Sequence, residues 1–239
     1  MKKLVILSGA GMSAESGIST FRDSDGLWNN YRVEDVATPE GFAADPQLVL
    51  DFYNHRRREL IKTEPNAGHR GLAALEKYFD VHIVTQNVDN LHERAGSSHV
   101  LHLHGELMKS CSVKNTNISF PIPPENPDIN IGDKAPDGEQ LRPFIVWFGE
   151  AVPKIEEAIK YVESSDIFVV IGTSLNVYPA AGLLNYVRNG QPIFLIDPKE
   201  VSTYRKDIVF IKKGASEGVK KLSEYLKQTI SDLCLVVNY

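Results

Sequence analysis

Residues 81–89 read Val-His-Ile-Val-Thr-Gln-Asn-Val-Asp, an apolar run that ends in a cluster of polar side chains. Val, Ile and Thr favour a strand, whose end would place Gln86, Asn87 and Asp89 at the carboxyl edge of a sheet. In open α/β sheets, the crevice outside that edge is where nucleotides bind. The stretch therefore predicts a parallel sheet with a binding site at its carboxyl edge.

A second strand of this kind opens the chain. Leu4-Val5-Ile6-Leu7 is apolar and leads into Gly9, Gly11 and Gly17. Glycines let the backbone turn tightly and approach a pyrophosphate, whose charge is met by the N–H groups at the start of the next helix. The spacing departs from the usual dinucleotide motif, so the loop alone is a weak indication of nucleotide binding.

Strands and helices alternate along most of the remaining chain. A helix is predicted to begin at Pro46, because Asp45 before it is a good N-cap. Residues 109–140 are rich in Asn and Pro and predict a loop-rich insertion. The alternation is typical of a doubly wound α/β fold, a parallel sheet covered by helices on both faces. Strands are predicted at 81–86, 99–103, 144–148, 167–171, 193–196 and 208–211, and further helices at 67–78, 153–163, 179–188 and 216–230.

The composition narrows the class of protein. The chain has 239 residues, of which 42% are hydrophobic, and a formal net charge of −5. That charge argues against nucleic acid as the main partner, and no apolar stretch reaches the roughly eighteen residues of a membrane span. We therefore expect a soluble, cytoplasmic protein that binds neither nucleic acid nor a membrane. The two cysteines, Cys111 and Cys234, form neither a disulfide framework nor a metal-ligand spacing.

His104, which is followed by Gly105, is a candidate general base. An imidazole with a pKa near neutrality can accept a proton from a hydroxyl group at physiological pH. His102 has the same strand parity and could reach the same face. The spacing alone leaves both histidines open.

Taken together, the motifs resemble the sirtuins, the NAD-dependent protein-lysine deacylases, and in particular the bacterial members that remove succinyl and malonyl groups. The resemblance implies a Rossmann-like domain from residues 1–30, 67–105 and 142–239. It also implies a small domain from two insertions, 31–66 and 106–141, with NAD and the acylated peptide between the domains. The matching stretches are residues 9–18, 20–22, 26–28, 85–92, 103–105, 142–143, 146–150 and 172–174.

The resemblance also implies a reaction and the residues that perform it. The acyl-lysine oxygen attacks the nicotinamide ribose, nicotinamide leaves, and the acyl group passes to ADP-ribose. His104 would deprotonate the ribose hydroxyls, and Asn87 and Asp89 would act with it. The cofactor-binding residues expected on this basis are Gly9, Ala10, Gly11, Ala14, Phe21, Arg22, Trp28, Gln86, Asn87, Val88, Asp89, Gly172, Thr173, Ser174, Asp197 and Ala215.

The substrate residues follow from the same comparison and from helix geometry. Tyr53 and Arg56 lie three apart on the predicted helix, so they share a face and could together bind a carboxylate. The alternative is that Arg56 belongs to a solvated basic helix end. Ala37 resembles a small residue that widens the acyl pocket, and Val146-Trp147-Phe148-Gly149 resembles the wall of the acyl-lysine tunnel. Acetyl-, malonyl- and succinyl-lysine are all candidate substrates.

The chain departs from the family in two places. Most sirtuins bind a structural zinc through four cysteines between the His-Gly and Arg-Pro motifs, but here that interval contains Cys111 alone, so no zinc is expected. The module would then depend on packing alone, through the proline-rich stretch 121–127. Leu195 stands where the family usually has an Asn that contacts the adenine ribose, which could weaken NAD binding.

Two other functions compete with deacylation. An ADP-ribosyltransferase would use the same NAD chemistry on a protein side chain, but it would leave Tyr53 and Arg56 without an obvious purpose. A non-catalytic NAD sensor would have no need of His104 as a base.

Overall fold

The computed structural model of the chain describes residues 1–19 and 31–236, with side chains as far as residue 227. Its strands are Lys3–Ser8 (β1), Asp80–Thr85 (β2), Val100–His102 (β3), Gly105–Ser112 (β4), Ser119–Pro121 (β5), Leu141–Ile145 (β6), Ile167–Ile171 (β7), Ile193–Ile196 (β8) and Ile208–Ile211 (β9). Its α-helices are Val33–Val36 (α1), Pro39–Ala44 (α2), Pro46–Lys62 (α3), Ala67–Ala74 (α4), Leu91–Arg94 (α5), Ile155–Glu163 (α6) and Ala215–Val236 (α7). Short 3₁₀ helices run along Ala10–Met12, Ala14–Ser16, Leu75–Lys77 and Ala180–Tyr186.

The main sheet has six parallel strands in the order β3-β2-β1-β7-β8-β9. The chain builds outward from β1 to β3 and then returns to build outward again from β7 to β9. The direction therefore reverses between β1 and β7, which is the position where doubly wound sheets bind ligands. The predicted α/β fold is confirmed.

Helices cover both faces of this sheet, because the strands are apolar on both sides. Along β1, Leu4 and Ile6 pack into one core cluster and Val5 and Leu7 into the other. The first cluster is completed by apolar residues of α4 and α7, and the second by α6 and the 3₁₀ helix 180–186. A strand buried on both faces reads as a continuous apolar run, which is what the sequence pattern indicated.

A separate antiparallel sheet has the order β5-β4-β6 and packs against α3. The prediction was wrong here in two respects. Residues 109–140 are less irregular than expected, because β4 continues to Ser112 and β5 forms within them. The strand expected at 144–148 is β6, which ends at Ile145, so residues 141–145 lie in this second sheet.

Two helix predictions also need correction. Residues 180–186 form a 3₁₀ helix, where an α-helix was expected, and Gly182 within it lowers the α-helical propensity. Helix α7 continues to Val236, beyond the expected end at residue 230.

Across residues 1–19 and 31–236, we find no helix with both the length and the apolar character of a membrane span.

Candidate active site

A cavity of about 910 Å³ opens at the carboxyl ends of β1, β2, β7 and β8. Its far wall is formed by one face of α3 and by the segment that follows β6. This volume is within the range of small-molecule sites, and the location is the switch point of the sheet. The lining includes most of the described residues that the sequence predicted to bind cofactor: Gly9, Ala10, Gly11, Ala14, Gln86, Asn87, Val88, Asp89, Gly172, Thr173, Ser174 and Asp197.

The loops after β1 and β7 contact each other closely at this switch point. The Gly11 amide donates to the Gly172 carbonyl over 2.8 Å, and the Gly9 amide donates to the Ile171 carbonyl over 3.0 Å. Gly172 has a φ of +64°, and a Cβ atom there would overlap the Met12 amide nitrogen. Only glycine permits this approach, so the loops form a compact floor of backbone beneath the cavity.

Ser13 connects the polar residues that follow β2. Its hydroxyl donates to Asp89 Oδ2 over 2.9 Å and accepts from Asn87 Nδ2 over 3.1 Å. His69 Nδ1 accepts from the Asn66 amide, so its Nε2 carries the proton and donates to Ser13 Oγ over 3.4 Å. Both Asn87 and Asp89 are buried, and burial raises the pKa of Asp89. Sequence reasoning gave Ser13 no role, although it lies inside the glycine loop.

His104 lies in the bend between β3 and β4, on the cavity wall. Its Nδ1 lies 3.0 Å from the Gln86 carbonyl oxygen, which can only accept, so Nδ1 carries the proton. The other ring nitrogen, Nε2, is then left with a lone pair. Burial lowers the pKa of His104, although the bond to Gln86 opposes the shift. The imidazole is therefore neutral at pH 7 and able to accept a proton.

His102 has a different environment from His104, despite the shared parity. Strand β3 ends at His102, and the positive φ of +86° at Gly105 turns the chain into β4. The simple alternation of a strand therefore does not continue to His104. His102 is buried, is absent from the cavity lining, and contacts the Asn87 carbonyl and Glu93. The structure thus separates the two candidate bases.

Tyr53 and Arg56 lie together on the α3 face of the cavity. The Tyr53 hydroxyl accepts from Trp147 Nε1 over 3.1 Å, which leaves its own proton available to a further acceptor. The Arg56 guanidinium carbon is 5.8 Å from the centre of the Tyr53 ring. Burial raises the pKa of Tyr53 and lowers that of Arg56. Ala37 is a third member of this wall and is itself buried.

Trp147 is held in place by a partly buried ion pair. Arg142 Nη1 donates to Glu150 Oε1 over 2.7 Å, and the guanidinium carbon lies 3.4 Å from the centre of the Trp147 ring. Glu150 Oε2 accepts from the Trp147 backbone amide over 2.8 Å. These contacts join the Arg142-Pro143 stretch to the stretch from Trp147 to Glu150. The predicted tunnel residues all line the cavity: Val146, Trp147, Phe148 and Gly149.

Not every residue that the sequence analysis singled out lines the cavity. Ala215 is packed in the core at the start of α7, and its neighbour Gly214 lines the cavity in its place. The Leu195 side chain is buried in the core on β8, whereas Asp197 reaches the cavity and accepts from the Lys199 amide over 2.9 Å. Phe21, Arg22 and Trp28 lie outside the described residues.

The cavity also contains residues that sequence reasoning missed. Glu59 and Thr63 line it beyond Arg56, at offsets of three and seven along or just after α3. That helical spacing could have identified them from the sequence once Tyr53 and Arg56 were chosen.

Metal-ligand geometry is not found in the part of the chain that the structure describes, where no group of three or more His, Cys, Asp or Glu side chains could hold an ion. Cys111 is buried, and burial raises the pKa of its thiol to about 11.

Comparison with known proteins gives a consistent picture. A model of the Sir2 family matches residues 9–179. A Bacteroides thetaiotaomicron protein named NAD-dependent protein deacylase is 63% identical over 230 residues, covering 95% of this chain and 98% of the relative. A Helicobacter pylori protein of the same name is 56% identical over 232 residues, covering 97% and 100%. The crystal structure of a Sir2 homologue–NAD complex is 40% identical, has a TM-score of 0.83, and is matched over 95% of this chain and 90% of its own.

Proposed function

The chain belongs to the Sir2 family and is an NAD-dependent protein deacylase, and we propose that Tyr53 and Arg56 direct it toward acyl groups that end in a carboxylate. The observation that carries this proposal is the position of both side chains on one cavity wall, beside Trp147 and Ala37. His104 is proposed as the general base, and Asn87 and Asp89 as its partners in positioning the cofactor. Acylated lysine side chains of proteins are the proposed substrates.

The cavity residues suit NAD in shape and chemistry. The glycine contacts at the switch point leave a backbone surface free of side chains, which a diphosphate needs for close approach. Asn87, Asp89 and Thr173 supply the amide, carboxylate and hydroxyl groups that bind ribose and carboxamide groups. When bound, NAD supplies the ribose carbon that the acyl oxygen attacks as nicotinamide leaves, and the ADP-ribose that receives the acyl group.

We assign the proton transfer to His104 Nε2. Its Nδ1 proton is committed to the Gln86 carbonyl, so Nε2 is the nitrogen that can take a proton from a ribose hydroxyl. Burial lowers the pKa of His104. Above that pKa the ring is neutral and can act as a base, and it becomes protonated and inactive as the pH falls through the pKa. The proposed role of Asn87 and Asp89 is to hold the ribose within reach, through the contacts that Ser13 fixes.

The acyl preference follows from charge and hydrogen-bonding capacity. An arginine stays protonated at neutral pH even when burial lowers its pKa, so Arg56 presents a positive charge to the cavity. A substrate carboxylate would accept from Arg56 and from the Tyr53 hydroxyl, whose proton is not used by Trp147. Charge-assisted hydrogen bonds in a desolvated site are stronger than neutral ones. Succinyl- and malonyl-lysine carry a carboxylate that can accept from both side chains, whereas the acyl group of acetyl-lysine has no carboxylate.

The test is mass spectrometry of purified protein with NAD and acetyl-, malonyl- or succinyl-lysine peptides. We expect acyl-ADP-ribose from each active substrate and a loss of about 10²–10⁴-fold in rate for His104→Ala. Arg56→Met should lower kcat/KM for succinyl-lysine by about 10–100-fold and change that for acetyl-lysine much less. Arg58→Met is the matched control, because Arg58 faces solvent on the same helix and lies outside the cavity.

Two outcomes would count against the proposal. Equal losses on acetyl- and succinyl-lysine in Arg56→Met would mean that Arg56 does not bind the acyl carboxylate. ADP-ribosylated protein without acyl-ADP-ribose would mean that the chain transfers ADP-ribose, a reaction for which Tyr53 and Arg56 have no evident use.

A further inference from the structure

His102 lies directly behind the polar turn that follows β2. It is 4% exposed and does not line the cavity. Its Nδ1 is 2.9 Å from the Asn87 carbonyl oxygen, and its Nε2 is 2.7 Å from Glu93 Oε1. The side chain therefore connects the backbone of a proposed cofactor residue to a carboxylate on α5.

Both ring nitrogens of His102 face acceptors, and this fixes the protonation state. A carbonyl oxygen can only accept, and the Glu93 carboxylate, whose side chain is 39% exposed, is solvated enough to stay ionised. Each nitrogen must then carry a proton, so His102 is an imidazolium. His104 differs, since among the described residues its ring makes one bond of this kind, from Nδ1 to the Gln86 carbonyl.

The surrounding charges agree with this assignment. Burial lowers the pKa of His102, but the hydrogen bond and charge of Glu93 outweigh burial and raise it overall, and Glu106 on β4 adds to the rise. Burial raises the pKa of Glu93, but His102 outweighs that effect, with a smaller contribution from Lys109. His92 on α5 is neutral, because burial lowers its pKa well below the usual value of a histidine.

We propose that His102 is a positioning residue for the NAD reaction, an imidazolium that Glu93 holds in place and that fixes the turn from Asn87 to Asp89. Its bond to the Asn87 carbonyl and the bond from His104 to the Gln86 carbonyl restrain two consecutive peptide units. Its charge also favours the ionised form of Asp89, which burial alone would disfavour. The proposal rests on the proposed function, since it concerns the geometry of the same cofactor residues.

The proposal predicts two limbs in the pH dependence of kcat/KM for NAD. Activity rises as the pH passes upward through the lowered pKa of His104, where the base becomes neutral. Activity then falls as the pH passes through the raised pKa of His102, where the imidazolium loses a proton and one of its two bonds. The charge of Glu93 determines where that second limb lies.

The experiment compares Glu93→Gln and His102→Asn with the wild-type protein. Glu93→Gln keeps a hydrogen-bonding group but removes the charge, so the alkaline limb should move to lower pH and KM for NAD at pH 8 should rise about tenfold. His102→Asn can still donate to the Asn87 carbonyl but cannot titrate, so its alkaline limb should disappear. In both variants, kcat at saturating NAD should change less than KM. Glu64→Gln is the matched control, because Glu64 pairs with Arg94 of α5 at the surface.

A spectroscopic measurement tests the protonation state without any need for activity. In full-length protein with ¹⁵N-labelled histidine, both His102 nitrogens should carry protons at pH 7, with the signal assigned by its loss in His102→Asn. In Glu93→Gln, the signal should become that of a neutral ring. A neutral His102 in the wild type, or wild-type pH profiles in both variants, would overturn the proposal. Absence of acyl transfer with the imidazolium present would instead count against the proposed function alone.

Discussion

The parallel sheet and the segment between β5 and β6 are held in place by different forces. In the sheet, Phe168 and its neighbours on β7 are buried on both faces among apolar side chains. The segment has only a small apolar cluster, in which Ile122 and Ile129 pack against Leu50 of α3. What anchors it is a set of hydrogen bonds from polar side chains of α3.

Asn54 and Arg57 provide those bonds. The Asn54 amide donates to the Ile129 carbonyl and accepts from the Ile129 amide, each over 2.9 Å. Arg57 is fully buried, donates through Nε to the Pro127 carbonyl over 2.6 Å, and also donates to Asn54 Oδ1. Burial lowers the pKa of Arg57 to about 10, so the side chain keeps its charge at neutral pH. The expectation that this module depends on packing alone was therefore wrong.

Helix α3 contributes both to the stability of the segment and to the proposed substrate specificity. Helix α3 holds the segment through Asn54 and Arg57, and it presents Tyr53 and Arg56 to the cavity. Where apolar burial is small, paired hydrogen bonds to backbone groups fix a loop, because buried backbone groups are costly to leave unpaired. A change in the segment can therefore reach the proposed acyl site through α3.

The largest effect is expected from removing apolar volume from the sheet. Phe168 is fully buried on β7, so Phe168→Ala should cost about 3–5 kcal/mol in the free energy of unfolding. For a chain of this length, each kcal/mol lowers the melting temperature by about 2–4 °C. Calorimetry or circular dichroism should then show melting roughly 10 °C lower, over the whole protein at once. A loss below about 1 kcal/mol would mean that the sheet core is not the main source of stability.

The same contrast explains which elements the sequence could predict. The strands Ile167–Ile171, Ile193–Ile196 and Ile208–Ile211 match their predicted bounds. Continuous apolar runs are typical of buried parallel strands, which the first two are, and the third is an apolar strand at the edge of the sheet. Strand β4 contains Glu106 and Lys109 and pairs with β6, from Ser112 with Leu141, 29 positions apart, to Gly105 with Ile145, 40 positions apart. No local pattern indicates such a partner.

The residues of the site also divide into those that the sequence could predict and those that it could not. The glycine loop and the residues after β2 could be named from the sequence, since strand ends of a parallel sheet converge on one edge. The separate environments of His102 and His104 could not, because they depend on the turn at Gly105. Asn54 and Arg57 also could not, since their backbone partners lie 70 to 75 positions away.

An intermediate effect is expected from breaking the hydrogen bonds to the segment. Asn54→Ala leaves the amide and carbonyl of Ile129 without their partners and should cost about 1–3 kcal/mol. Hydrogen exchange should accelerate in residues 122–140 and stay slow in β1 and β7, because the loss is local. Gln47→Ala is the control, since Gln47 is exposed on the same helix and its side chain donates to Asp51 of that helix. Uniformly faster exchange in every strand would show that the segment and the sheet unfold as one unit.

The smallest effect is expected from an ion pair on the same segment. Asp128 lies between Pro127 and Ile129 and accepts two bonds from Arg58, at 2.6 and 2.7 Å, but both side chains are partly exposed. Exposed pairs contribute about 0.2–1 kcal/mol, because water screens the charges and ordering two side chains costs entropy. Asp128→Asn should therefore lower stability by less than about 1 kcal/mol, and by less still at 1 M salt, as measured by urea denaturation. If Asp128→Asn cost as much as Asn54→Ala at both salt concentrations, the anchor would be ionic, and the buried hydrogen bonds of Asn54 would not be what distinguishes this segment from the sheet.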